Sequence, residues 1–419
     1  MSEPNLIAWR QSIEHELNQR IIPFWRSLRD NTCGGFLGLV EWDLTRRPQA
    51  YKATLLNSRI MWFFSSAARH FQDESLLDDA QHAYRFLVDR CLDRHHGGVV
   101  WSVEHSGPWL DTTKQTYNQA FAIYALAAYH QASGHQAALD LAFELFELLE
   151  TRLAAPPGYG EAFDQTFHPI ANEKLSENGV MAERTMNTLL HVFEAYAGLY
   201  VASGHRPEVG QALRGILSVF TTGIYNPAAR RLEVFFDQAG RSLIDLQSFG
   251  HDIEASWLLS CGADLLGDPP LSRQLDTIGL DLVDSVYQRA YRDGSVAYEE
   301  LNGQVDNSRV WWVQAEAMVA FYTATAKVAK ADQARLYTEA AYRLWQFCVT
   351  VLADPRPDSE WFWATDPTGE PLSGRPIVST WKCPYHSGRA CLRMLDKLAD
   401  ALNPQAGLPK GQESDRAAC

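Results

Sequence analysis

The stretch Gly97-Gly98-Val99-Val100-Trp101 opens the unit of sequence that decides the fold of this chain. Two glycines followed by a short β-branched run are typical of a turn that leads into a strand. Apolar residues at i, i+3, i+4 and i+7 then predict helices over about 115–133 and 136–153, separated only by Ala132-Ser133-Gly134. The next glycine-led loop begins 61 residues after Gly97, at Gly158.

This unit of two helices and one long loop recurs six times along the chain. The helical pattern predicts twelve helices, over roughly 5–28, 54–72, 75–93, 115–133, 136–153, 184–203, 206–223, 251–267, 270–291, 309–328, 332–351 and 384–402. Such a repeat predicts an all-α fold, an (α/α)6 barrel with inner and outer helices and short β-hairpins in the long loops at one end. We therefore predict one domain over 1–402 and a polar tail over 403–419.

The composition of the 419 residues excludes several classes of function. The net charge is −14 and no basic run occurs, so a nucleic-acid partner is not expected. No apolar run approaches the ~20 residues of a membrane span, and no secretory signal precedes the first helix, so a cytoplasmic protein is expected. The seven scattered cysteines contain no CxxC pair and predict neither a disulfide framework nor a zinc site.

The six long loops lead into the even-numbered helices, whose first turns must converge at one end of such a barrel. Those first turns are polar or aromatic where packing alone would select aliphatic residues. They contain Arg59, Tyr117, Asn187, His191, His251, Glu254, Trp312, Glu316, Trp381 and His386. Helix N-termini add partial positive charge there, which would stabilise a developing oxyanion.

The residue types in this predicted funnel favour proton transfer on a sugar. Histidine accepts and returns protons near neutral pH, and three histidines at one level suit proton abstraction beside a carbonyl. The alternative is a glycoside hydrolase, for which Asp164, Asp252, Glu254 and Glu316 are candidate carboxylates. Glu254 and Glu316 could equally serve only to neutralise arginine partners. No GxGxxG, GxxxxGK[ST] or GxSxG motif points to nucleotide or serine-hydrolase chemistry.

Several segments resemble the cellobiose 2-epimerases of the N-acylglucosamine 2-epimerase superfamily. The most specific is Phe249-Gly250-His251-Asp252-Ile253-Glu254-Ala255-Ser256-Trp257, and the likeness runs from about residue 8 to residue 400. The others are Asn57 to Trp62, Met186 to His191, Trp311 to Ala317 and Trp381 to His386. The resemblance implies an (α/α)6 barrel that epimerises a reducing-end glucose or mannose residue at C2 without a metal or other cofactor.

By this resemblance His251 and His386 would be the acid/base pair on opposite faces of C2, and His191 would assist ring opening. Arg59 would hold the oxygens of an enediolate, and Glu254 would orient or polarise a histidine. Tyr117, Trp312 and Trp381 would line the sugar, with Asn187 and Glu316 as further substrate-binding residues.

The chain departs from the family pattern at Phe167, Leu189, Cys383 and Ser387. A mannose–glucose 2-epimerase or an aldose–ketose isomerase acting on the monosaccharide therefore stays open beside a β-1,4 disaccharide epimerase. The expected partner is a small sugar, and the chain is expected to be a monomer or a homodimer.

Overall fold

The computed structural model describes residues 1 and 3–403 and is mainly helical. Its helices are α1 Glu3–Glu16, α2 Ile22–Ser27, α3 Thr54–Phe71, α4 Glu74–Phe86, α5 Thr116–Ser133, α6 Gln136–Leu148, α7 Met186–Ala202, α8 Pro207–Val219, α9 Phe249–Leu265, α10 Pro269–Arg289, α11 Trp311–Ala324, α12 Ala331–Phe347 and α13 Pro384–Leu402. Five π-helical turns follow α1, α4, α6, α8 and α12, at Leu17–Ile21, Leu87–Cys91, Leu149–Leu153, Phe220–Ile224 and Cys348–Leu352. The first π-turn joins α1 to α2 into one continuous helical segment. Counted in this way, the described residues form the twelve predicted helices.

The helices form two concentric rings. The inner helices α3, α5, α7, α9, α11 and α13 each contact the next one, and α13 contacts α3 to close the ring. The outer helices pack in sequence order against their inner partners, with α1 against α13. Inner helices are buried on nearly every face because they are covered on both sides, whereas outer helices bury one stripe. This arrangement confirms the predicted (α/α)6 barrel.

The long loops form a collar at the end where the inner helices begin. Its strands are β1 Lys52–Ala53, β2 Ser102–Val103, β3 Trp109–Asp111, β4 Lys114–Gln115, β5 Ala162–Phe163, β6 Arg184–Thr185, β7 Tyr225–Asn226, β8 Arg231–Leu232, β9 Phe235–Phe236, β10 Leu246–Ser248, β11 Tyr291–Arg292, β12 Ser295–Val296, β13 Glu299–Leu301, β14 Gln304–Asp306, β15 Arg309–Val310 and β16 Ala364–Thr365.

The pairing of these strands differs in part from the predicted hairpins. Hairpins form within single loops at β2–β3, β7–β8, β11–β12 and β13–β14. The strand before each of α3, α5, α7, α9 and α11 instead pairs antiparallel with a strand of the next loop along the chain. An isolated bridge between Val40 and Val378 joins the first loop to the last. Backbone hydrogen bonds therefore connect each repeat to the next around the mouth of the barrel.

Backbone groups of the next loop take the place of helix-capping side chains. The first N–H groups of α3, α5, α7 and α11 donate to loop carbonyls, for example from Thr54 to Trp101 (3.0 Å) and from Thr116 to Glu161 (2.9 Å). Among the six inner helices, only α7 has a side-chain N-cap, Thr185. The first turns of the inner helices therefore do not need capping side chains and can carry residues with other roles.

The barrel closes through contacts between the two ends of the described chain. Trp361 Nε1 donates to Glu16 Oε1 (2.9 Å), and Trp345 Nε1 donates to Ser12 Oγ (3.1 Å). Most of the predicted tail, residues 404–419, lies outside the described residues. In the described part of the chain, no helix has the length and apolar character needed to cross a membrane.

Candidate functional site

A deep cavity opens at the collar end of the inner ring. Its empty volume is about 990 Å³ up to the open mouth, which is in the size range of small-molecule sites. Nine of the ten sequence-predicted site residues line it: Arg59, Tyr117, Asn187, His191, His251, Glu254, Trp312, Trp381 and His386. Glu316, the tenth, is fully buried behind His386 and does not line the cavity.

His386 and His251 both lie against the indole of Trp312. The ring centroid of Trp312 is 5.4 Å from that of His386 and 4.9 Å from that of His251. Gly250 makes this approach possible, because a Cβ at that position would lie 2.3 Å from Trp312 Cη2. The glycine beside His251 is therefore required by the indole that packs on it.

The two histidines have different hydrogen-bond partners on Nδ1. His386 Nδ1 is 2.8 Å from Glu316 Oε1, and because a carboxylate only accepts, the proton lies on Nδ1. His251 Nδ1 is 2.8 Å from the Ser248 hydroxyl. In both rings Nε2 is the nitrogen left for a ligand. Burial is the main cause that lowers the pKa of both histidines, so both rings are neutral at pH 7.

His191 lies on the wall formed by α7 and is held by a carboxylate of its own helix. Its Nδ1 is 2.9 Å from Glu194 Oε2, and its ring packs against Tyr117 and Phe121. Burial raises the pKa of Glu194, but the charge of Arg389 and the bond from His191 outweigh it and lower the pKa to about 2. Glu194 is therefore an anion that orients the ring of His191.

Arg389 joins the carboxylates behind the histidines into one buried network. Its guanidinium donates to Glu194, Glu254 and Glu316, the last at 2.6 Å. Burial and the charge of Glu316 raise the pKa of Glu254 to about 8, although Arg389 opposes the shift. Glu254 and Glu316 thus both accept hydrogen bonds from Arg389, as one of the alternatives for these two residues expects.

Arg59 is a further buried cation, and it lines the cavity. It is almost fully buried, its Nη2 donates to the Tyr117 hydroxyl (2.6 Å), and its guanidinium lies 4.1 Å from the centroid of Phe121. Its Nε has no hydrogen-bond partner within the described structure. Asn187 Oδ1 likewise lacks a partner, so the cavity contains an unused donor and an unused acceptor.

The outer wall of the cavity comes from the collar. Trp381 lies between Tyr117 and Trp101, at 5.9 Å from each ring centroid. Lys174 lies 5.0 Å above the ring of Trp101 and donates to Asp111 Oδ2 (2.7 Å). Tyr298, Glu299 and Trp363 complete this wall. Flat rings with polar edges suit a sugar that extends beyond the histidines.

The other candidate carboxylates for hydrolysis have structural partners. Asp252 accepts from the Leu232 N–H (2.8 Å) and from Gln247 Nε2 (2.8 Å). Asp164 holds a turn by accepting from the N–H groups of Thr166 and His168. Neither aspartate lines the cavity.

Ser248, Glu194 and Arg389 are partners of the site that sequence reasoning missed. Each lies three residues from a predicted histidine on the same helix or at its start: Ser248 before His251, Glu194 after His191 and Arg389 after His386. Residues at i and i+3 share a helix face, so this spacing was a usable signal.

Glu254, Glu316 and His386 have ligand atoms within 4.8 Å of one another, a spacing that could hold a metal ion. Arg389 bonds to both glutamates, so a guanidinium already supplies the positive charge at this place. The expectation that no metal or cofactor is needed stays a prediction.

Comparison with known proteins identifies the family. The family model for N-acylglucosamine 2-epimerase matches residues 35–388. The chain belongs to the N-acylglucosamine 2-epimerase family. A curated relative, the cellobiose 2-epimerase of Eubacterium cellulosolvens, is 44% identical over 91% of this chain and 96% of its own length.

Solved structures agree with this assignment. A sugar epimerase from a ruminal bacterium has a TM-score of 0.90 and 40% identity, covering 92% of this chain and 98% of its own. Cellobiose 2-epimerase from Bacillus thermoamylovorans B4167 has a TM-score of 0.88 and 38% identity, covering 93% and 99%. As an N-acylglucosamine 2-epimerase family member, the protein is a sugar epimerase and hence an isomerase.

Proposed function

We propose that this epimerase interconverts glucose and mannose at the reducing end of a β-1,4-linked disaccharide such as cellobiose. The observation that carries the proposal is the pair His251 and His386, two neutral histidines on one indole whose Nδ1 atoms are held by different partners. Relatives named cellobiose 2-epimerase support the choice of disaccharide.

The reaction needs a base on one face of C2 and a proton donor on the other. One neutral histidine takes the C2 proton through Nε2, and the electron pair of the C–H bond moves into an enediolate of C1 and C2. The other histidine takes up a proton on its free Nε2 from water at the open mouth and delivers it to the opposite face of C2. The first histidine then releases its proton to water at the open mouth, which completes the balance.

Arg59 and His191 have separate parts in this proposal. The buried charge of Arg59 stabilises the enediolate oxygens, because a fixed cation in a site of low dielectric acts strongly on developing charge. His191, fixed by Glu194, lies where it can assist opening of the sugar ring. The ring-opened form is needed because only a carbonyl at C1 acidifies the C2 proton.

The collar supports binding of a second sugar. Lys174, Glu299 and Tyr298 extend the cavity beyond the histidines, and Trp363 and Trp381 provide flat faces along it. Of the four departures from the family pattern, Cys383 contacts Arg59, with Nη1 to Sγ at 3.8 Å. Like Cys383, the other three, Phe167, Leu189 and Ser387, do not line the cavity.

One experiment tests both reaction and substrate. The protein is incubated in deuterated water with cellobiose, glucose and mannose in separate samples, and the products are followed by NMR. We expect glucosyl-mannose from cellobiose, with deuterium at C2. A ketose product would indicate an isomerase, free glucose from cellobiose a hydrolase, and turnover of monosaccharides alone a monosaccharide epimerase; each of these would contradict the proposal.

A further inference from the structure

A second cavity opens at the opposite end of the barrel, where the inner helices end. It lies between the later turns of α3, α5 and α13 and has an empty volume of about 1370 Å³ up to its mouth. Its side chains come from one to three turns beyond the catalytic level; Trp62 follows Arg59 on α3, and Arg393 follows His386 on α13. Of the residues described around the sugar cavity, Arg389, which bonds to the glutamates behind the histidines, is the one that also lines it.

Positive charge is concentrated in this cavity. Arg10, Arg69, Arg393 and His70 line it together with Arg389, whose own charge is compensated by buried glutamates, and the one lining carboxylate is Asp396. Asp396 is itself paired, since its Oδ1 is 3.2 Å from His70 Nδ1. On a chain with a net charge of −14, such a local excess of cations is a specific feature of this end of the barrel.

Several of these arginines have unused donors. Arg389 is fully buried, and its Nε has no hydrogen-bond partner within the described residues, although its Nη atoms bond to the glutamates. The Nε of Arg10 is buried and unpartnered as well. In the described part of the chain, neither Arg10 nor Arg393 forms an ion pair with a carboxylate. A buried donor without an acceptor is costly, so an acceptor that enters the cavity would be stabilised.

We propose that this cavity, lined by Arg10, Arg69, Arg389 and Arg393, binds a small phosphate-bearing molecule. Arginine presents planar donor pairs that match phosphoryl oxygens, and several arginines around one cavity suit a group with more than one negative charge. The stacked rings of Trp62 and Tyr124, 5.3 Å apart, form an apolar wall for the rest of the ligand. This site is separate from the sugar cavity and does not depend on the proposed reaction.

Pyrophosphate and inorganic phosphate are the probes, and isothermal titration calorimetry is the measurement. We expect one site on the wild-type protein, with pyrophosphate bound more tightly than phosphate and affinity falling as salt rises. The double variant Arg10→Gln/Arg393→Gln should weaken pyrophosphate binding at least tenfold. The matched control Arg335→Gln/Arg343→Gln removes the same charge from exposed positions of α12 and should bind as wild type does.

Two further variants keep the test decisive. Arg59→Gln alters the catalytic cavity and should leave pyrophosphate binding intact; loss of binding there would place the anion in the sugar site and overturn the proposal. If the double variant fails to fold, Arg69→Gln at the exposed rim should still weaken binding. Equal loss in the α12 control, or no binding to the wild type, would also overturn it.

Discussion

At the scale of single residues, the partner of each histidine decides what the ring can do. Glu316 fixes the proton of His386 on Nδ1, and Ser248 holds His251 without adding a charge. Both arrangements present Nε2 to a ligand, and both depend on a residue three positions away or on another helix. The chemistry of the pair is therefore set by the residues behind it.

Replacing either histidine tests this directly. His251→Asn and His386→Asn should each lower kcat for cellobiose epimerisation by about 10²–10⁴-fold, because general acid–base groups contribute that much. His130→Asn, on α5 far from the cavity, is the control and should retain the wild-type rate. Rates are measured by NMR and folding by circular dichroism. A near-normal rate in either variant would show that the reaction does not use the pair.

The pH profile should reflect the shifted pKa values. Burial lowers the pKa of His251 to about 3, so its ring stays neutral and able to accept a proton as the pH falls through 6.5. Burial and the charge of Glu316 raise the pKa of Glu254 to about 8, so the charge behind His386 changes only towards alkaline pH. We expect a plateau in kcat/KM between about pH 6 and 8. An acid decline centred at the ordinary histidine value of about 6.5 would contradict this assignment.

The sequence indicated the inner-helix residues that line the cavity, but neither the collar residues Lys174 and Glu299 nor Arg389 behind the histidines. His191, His251 and His386 could be predicted because each begins an inner helix after a long loop. The contact of Arg389 with Glu254 joins residues 135 positions apart, and it exists only because α13 closes against the ring. For Glu316, the i, i+4 spacing from Trp312 indicated the correct helix face, but not that the carboxylate is buried behind His386.

At the scale of elements, the fourth residue of most inner helices holds the preceding loop. Asn57, Gln119, Asp252 and Gln314 each accept a backbone N–H from that loop, and Ser387 donates to Glu360. In α7 the same position is Leu189, and Thr188 and Thr185 bond to Glu161 instead. In α7, Thr185 and Thr188 thus hold the loop in place of the fourth residue, Leu189.

In two of the repeats, the contact between the loop and the fourth helix residue requires a glycine in the loop. Gly98 has φ +73°, and a Cβ there would lie 2.9 Å from Gln119 Oε1 and 3.1 Å from Leu148 Cδ2. Gly35 has the same relation to Asn57. A glycine therefore begins these loops because the loop backbone lies directly against the side-chain amide of an inner helix. The same glycines mark the repeat in the sequence.

A comparison of Gly98→Ala with Gly134→Ala separates the cost of a steric clash from the cost of backbone strain. Gly134 has φ +69° and open space around it, so its substitution costs only the left-handed penalty of about 1–2 kcal/mol. Gly98→Ala adds the clash, and we expect its free energy of unfolding to fall further by about 1–3 kcal/mol. Urea denaturation measures both. Equal losses would mean that the loop moves aside freely.

The strands of the collar mark the limit of sequence-based prediction at this scale. Most are two residues long, and a glycine followed by a β-branched run predicts a strand without naming its partner. β1 and β4 pair with the following loop because each leads into an inner helix beside that loop. Their register depends on the position of the next helix pair, which a local pattern does not contain.

At the scale of the whole molecule, closure of the ring joins the first repeat to the last. Glu16 of α1 accepts from Trp361, and α13 packs against both α1 and α3. In an open array of repeats, stability is a sum of neighbour contacts and an end can fray. A closed ring has no such end, so the loss of one contact lowers the stability of the whole domain. This argument supports the single domain predicted over 1–402.

The seam therefore offers a test of cooperativity. Trp361→Phe removes a donor to the buried Glu16 carboxylate and should lower the free energy of unfolding by about 1–3 kcal/mol, because a hydrogen bond to a charged group is lost, although Arg20 stays paired with Glu16. We expect the loss to appear as one transition that shifts as a whole, with calorimetric and van't Hoff enthalpies equal. Trp109→Phe, at an exposed collar position, is the matched control and should shift the midpoint less. A second transition in the seam variant would show that the repeats adjoining the seam unfold separately, and that the chain does not behave as one domain.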